Sequence, residues 1–84
     1  MINNVFTVGT TPVLVVPADD THRVVLLHSG TGSVYIGNGS VTASTGLHMS
    51  NGTTLSVTIP SRQTLYAVTA SSTQTFITLT PDLD

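Results

Sequence analysis

The sequence predicts an all-β chain: a small antiparallel β-sandwich or barrel of about seven short strands, with no significant helix. Three observations predict it. Val, Thr and Ile supply 31 of the 84 residues, and such β-branched side chains are stiff at χ1 and fit a pleated surface better than a helix. No useful stretch places apolar residues at i, i+3, i+4 and i+7, the spacing an amphipathic helix needs. Short apolar runs recur between Gly, Pro and Asn punctuation, the pattern of strands and turns in sandwiches and barrels.

The strands follow in order. Val5 to Val8 reads as a short first strand, and residues 1–11 as an N-terminal arm that includes it. Residues 12–80 read as the single sandwich domain and 81–84 as an acidic C-terminal tail. Val13 to Val16 is an apolar run bracketed by Pro12 and Pro17. Arg23 to Ser29 contains Val24-Val25-Leu26-Leu27. Ser33 to Gly37 alternates, with Val34 and Ile36 on one side and Tyr35 on the other. Thr54 to Ile59 places Leu55, Val57 and Ile59 inward and Thr54, Ser56 and Thr58 outward. Leu65 to Ala70 and Gln74 to Thr80 complete the set, the latter with Ile77 and Leu79 sharing a face.

Turn chemistry separates these runs. Asn38-Gly39 and Asn51-Gly52 are dipeptides favoured in tight hairpins, because both residue types tolerate positive φ. Ser29-Gly30-Thr31-Gly32 and Pro60-Ser61-Arg62-Gln63 read as short connections. Val41 to Ser50 is the least regular segment and reads as a loop crossing the end of the sandwich.

Val13–Val16 and Val24–Leu27 are apolar on both faces, whereas a sheet with one wet face should alternate. Such a strand either lies centrally with both faces covered or presents its outer face to another subunit. Chains this short have small cores and usually add disulfides, a metal or association. Cysteine is absent, so disulfides and thiolate metal sites are excluded and association is expected.

Charge narrows the partner. The cations are Arg23 and Arg62, there is no lysine, and the anions are Asp19, Asp20, Asp82 and Asp84. Two arginines do not furnish the phosphate contacts a nucleic-acid binder needs, nor a basic membrane-binding surface. The opening Met1-Ile2-Asn3-Asn4 lacks the basic then apolar pattern of a signal peptide, and no run is long enough to span a membrane as a helix.

Nothing in the sequence assembles a catalytic or cofactor site. His22, His28 and His48 lack metal-ligand spacing and read as surface or edge histidines. Asp19-Asp20 lies in a bend between strands and reads as a cap, not an acid/base pair. There is no GxSxG elbow, and the glycines of residues 30–39 lack the following helix that a phosphate loop requires. Asn38-Gly39-Ser40 and Asn51-Gly52-Thr53 match the glycosylation pattern but equally match ordinary turns. The expectation is a protein without enzymatic activity or cofactor.

A family likeness is carried by several segments in order. Thr11-Pro12 precedes an apolar strand, and Arg23-Val24-Val25-Leu26-Leu27 follows. Ser33-Val34-Tyr35-Ile36-Gly37, Val41-Thr42-Ala43-Ser44-Thr45-Gly46-Leu47 and Leu65-Tyr66-Ala67-Val68 come after. Between Pro12 and Leu79 the chain resembles the small β-sandwich virion proteins of tailed bacteriophages, the capsid decoration or head-fibre type. His28 departs from the pattern, where an amide is expected before the glycine turn. The resemblance implies a structural protein without enzymatic activity. It would form a homotrimer and bind the major capsid protein on the virion exterior.

The resemblance transfers no contact residues. Chemistry selects the uncharged N-terminal segment Ile2, Asn3, Asn4, Val5 and Phe6, which can reach a neighbour or add a strand to its sheet. It also selects Arg62, a cation in a turn suited to an acidic partner surface. Two alternative roles stand beside decoration. One is a tail or head-fibre base component; the other is a carbohydrate- or receptor-binding module using Tyr35 or Tyr66.

Overall fold

The computed structural model describes residues 2–20 and 22–80, so the tail at 81–84 lies outside the described residues. It is all-β, with no helix among the described residues. Eight strands form two four-stranded antiparallel sheets: β1 (Ile2–Val8), β2 (Val13–Val16), β3 (Arg23–Ser29), β4 (Val34–Gly37), β5 (Leu47–Met49), β6 (Thr54–Ile59), β7 (Leu65–Val68) and β8 (Gln74–Thr80). One sheet runs β1-β8-β3-β6 and the other β2-β7-β4-β5.

The core lies between the sheets. Val8, Val25, Leu27, Ile59 and Phe76 enter it from the first; Val15, Val16, Val34, Ile36, Met49 and Ala67 enter from the second. The period-2 alternation of strands places them there. On β6 it is as the sequence predicts, with Thr54, Ser56 and Thr58 exposed and Ile59 buried. On β4, Val34 and Ile36 are buried and Tyr35 faces the other way.

Every connection but β4–β5 carries the chain from one sheet to the other. This corrects the hairpin expectation for Asn51-Gly52; Asn38-Gly39 does lie between two paired strands, β4 and β5, but in a long loop and not a tight turn. Asn51-Gly52 joins β5 of one sheet to β6 of the other, through a turn in which Thr53 N–H donates to the Ser50 carbonyl at 3.0 Å. Gly52 has φ 79°, the left-handed value such a turn requires at its third position. Asn38-Gly39 opens a longer excursion, where Asn38 Oδ1 accepts from Ser40 N–H at 2.9 Å. The buried hydroxyls at the sandwich ends are satisfied locally: Ser29 donates to the Gly32 carbonyl, and Thr69 to the Ser72 carbonyl at 2.6 Å.

Three further corrections concern the strands. Residues 2–6 are not a free arm: Ile2 to Phe6 pair along their whole length with β8, from Ile2 opposite Thr80 to Phe6 opposite Phe76. Leu47–Met49, within the segment read as a loop, is an edge strand paired with β4. β2 is also an edge strand, and its register breaks between Leu14 and Val16. That break turns the consecutive Val15 and Val16 both inward and leaves Leu14 exposed, which accounts for an apolar run without a covered outer face.

Candidate interaction surface

The side of β1-β8-β3-β6 that faces away from the core is the most distinctive surface among the described residues. Alternation sends Asn3, Val5 and Thr7 to it from β1, and Thr75, Ile77 and Leu79 from β8. Val24, Leu26 and His28 arrive from β3, and Thr54, Ser56 and Thr58 from β6. Register aligns them in rows: Val5 opposite Ile77, Ile77 opposite His28, His28 opposite Thr54; and Asn3, Leu79, Leu26, Ser56. None of these residues is Asp, Glu, Lys or Arg, and His28 is the only ionisable one.

Val5 is 70% exposed, Val24 52% and Leu26 39%. With Ile77 and Leu79 they make a contiguous apolar strip across β1, β8 and β3, on a face about 19 Å wide taking four strands about 4.8 Å apart. A contiguous exposed apolar patch rimmed by polar residues often marks a contact surface. His28 lies at the patch border, its Nδ1 3.0 Å from Thr54 Oγ1.

The outward face of β2-β7-β4-β5 differs. Residues 38–46 fold back over it, so that Val68, which alternation turns outward, is buried together with Val41. A Cβ on Gly46 would stand 2.7 Å from Val41 Cγ2 and 2.8 Å from Tyr35 Cβ, so only glycine lets the segment close on the sheet. An open cleft of 530 Å³ remains beside it, lined by Thr10, Pro12, Val41, Thr42, Val68 and Thr69 among others. Among the described residues that line it, none is ionisable.

The sequence-selected residues occupy different places. Val5 and Asn3 belong to the outward face described above. Ile2, Asn4 and Phe6 alternate to the core side of β1, where Phe6 packs against the core and Ile2 stays 43% exposed at the rim. Arg62 is exposed in the turn between β6 and β7, at φ 66°, and its Nε lies 3.7 Å from the exposed Asp20 carboxylate. Its backbone N–H donates to the Asp19 carbonyl at 2.6 Å. The charge selected for a partner thus has an acidic neighbour within its own chain.

Arg23 was legible only as the start of a strand. It is buried, and its guanidinium donates to the carbonyls of Pro17 and, at 3.3 Å, Gln63. Burying a guanidinium demands such acceptors, so Arg23 fastens the end of β2 and the start of β7 to the opposite sheet. Tyr35, one of the two candidate sugar platforms, stacks on His48 with ring centroids 4.9 Å apart and planes at 25°. One side of its ring is therefore occupied. The three histidines do not converge, and no group of three potential metal ligands exists among the described residues.

No family model, curated protein or solved structure matches this chain.

Proposed function

We propose that this chain is a structural component of a bacteriophage virion without enzymatic activity. In this reading it is a capsid decoration protein that assembles as a homotrimer and packs on the exterior of the major capsid lattice. The observation that carries the reading is the uncharged apolar face of β1-β8-β3-β6, with Val5, Val24, Leu26, Ile77 and Leu79. Burial of apolar area contributes roughly 25 cal/mol per Å², and a face without charges meets another protein with no ions to desolvate. The segment likeness to tailed-phage virion sandwiches supplies the setting. A protein that binds only the assembled lattice stabilises it by mass action, and a small symmetric oligomer present in many copies suits that task.

Electron microscopy of assembled particles tests the proposal. Density for this sandwich on the shell exterior, in many copies and with the β1-β8-β3-β6 face buried, is the expected result. A handful of copies at a tail or vertex would move the role to a fibre base. Absence from the particle would end the virion reading.

A further inference from the structure

The edges of the two sheets are built differently. β2-β7-β4-β5 ends on β2, four residues with a broken register between Pro12 and Pro17, and on β5, three residues. Short, irregular or proline-flanked edges are what keep a sheet from pairing with another chain. β1-β8-β3-β6 ends on β1, seven residues, and β6, six residues. Both are in unbroken register, and neither contains a charge or a proline. The one proline that adjoins either strand, Pro60, follows β6 without interrupting its register.

The backbone groups these edges offer follow from the ladder. Ser29 N–H donates to the Thr53 carbonyl, so Thr53, and by alternation Leu55, Val57 and Ile59, turn their N–H and C=O toward β3. Thr54, Ser56 and Thr58 therefore turn theirs outward. Gly30 N–H donates to the Thr75 carbonyl, so Thr75, Ile77 and Leu79 face β3, and Phe76 and Thr78 face β1. On β1 the residues opposite these, Phe6 and Asn4, bond inward. Asn3, Val5 and Thr7 are left with outward N–H and C=O. Each edge thus presents three donors and three acceptors. Because the sheet has four strands, each antiparallel to its neighbour, β1 and β6 run in opposite directions.

We infer that these edges join copies of this chain, β6 of one copy adding to β1 of the next in antiparallel pairing. The inference rests on the proposed role as an assembly protein and names the surface through which copies meet. Three features select a second copy as the occupant. The two edges match in their number of free groups, in their lack of charge and in their direction. A single contact between unlike edges, repeated, pairs every open edge, whereas pairing like with like leaves the other edge bare. The join also continues the apolar face: Val5, the most exposed large apolar side chain among the described residues, gains a cross-strand neighbour and its row runs on into the next sheet.

The chain has no cysteine, which makes cross-linking decisive. Val5 and Ser56 are the central residues of the two free sets. Opposed across an antiparallel bonded pair, their Cα atoms stand about 5.5 Å apart, within disulfide reach. Val5→Cys and Ser56→Cys are prepared separately, oxidised alone and as a mixture, and the wild type is weighed in solution. The expected result is an oligomeric wild type and a disulfide-linked dimer that forms in the mixture and in neither protein alone. Ser56→Pro, which removes an outward N–H without touching the β3 ladder, should give a folded monomer by circular dichroism and sedimentation. A monomeric wild type overturns the inference, as does cross-linking of either variant with itself in place of the mixture. So does an oligomer that neither cross-links in the mixture nor responds to Ser56→Pro. A chain that fails these tests yet coats the capsid exterior refutes this inference alone; one that passes them but is missing from the particle refutes the virion role alone.

Discussion

Leu26 on β3 stands directly opposite Leu79 on β8, on the side of the sheet turned away from the core. Two leucines paired across central strands ordinarily face a core. Here the pair sits between Asn3 and Ser56 on an uncharged face with no second layer over it.

If that face is a contact surface, a charge at its centre blocks contact without harming the fold. Leu26→Glu should leave thermal stability within about 1 kcal/mol of wild type, because the side chain is already 39% exposed. Binding to purified capsid shells should fall at least about tenfold, since the carboxylate would be desolvated on docking. Co-sedimentation with shells, alongside a melting curve, checks both.

Thr78 occupies a fully buried position opposite Leu27, and its hydroxyl has no hydrogen-bond partner. A buried unsatisfied hydroxyl costs on the order of 1–3 kcal/mol. Thr78→Val keeps the shape and removes the polar atom, so it should stabilise the fold by roughly 1 kcal/mol or more, measured by urea titration. A loss of stability would mean that the hydroxyl is satisfied after all.

Arg23→Met should have the opposite effect. It leaves the carbonyls of Pro17 and Gln63 without the guanidinium that joins them. A hydrogen bond from a charged donor contributes about 1.5–3 kcal/mol. A loss of that order is expected in denaturant melts, with faster proteolysis near residues 17–20 and 60–64 as the strand ends loosen.

Gly46→Ala tests the segment folded over the second sheet. The added methyl would meet Val41, Tyr35 and the Thr42 carbonyl at 2.7–3.1 Å. Overpacking of this kind costs roughly 1–3 kcal/mol. Hydrogen exchange should show residues 38–46 and β5 losing protection while β3 and β8 keep theirs.

The sequence was most informative where one strand repeats one rule. On β6 and β4, apolar and polar residues alternate without interruption, and both strands and their inward faces could be named in advance. It was least informative where register or tertiary cover overrides alternation. β5 is three residues with His48 at its centre, too short to show a period. Val15 and Val16 are both buried because of a break in pairing with β7, which no local pattern announces. Thr78 looks like an outward residue by composition and is inward by phase, because Phe76 on the same strand anchors the core.

Residue chemistry by itself determined an all-β, cysteine-free, nearly uncharged chain with more apolar strand surface than one small core can hold. β-branched side chains and turn residues act locally, so these properties are readable from the sequence. Only the tertiary structure decided which strands are edges, that Ile2–Phe6 is built into a sheet and not loose, and that Val5, Val24 and Leu26 meet Ile77 and Leu79 on one face while Leu14 and Leu47 stay exposed on the other sheet. Strand order and register are set by contacts between residues far apart in the chain. A surface assembled from four strands therefore exists only once the fold does.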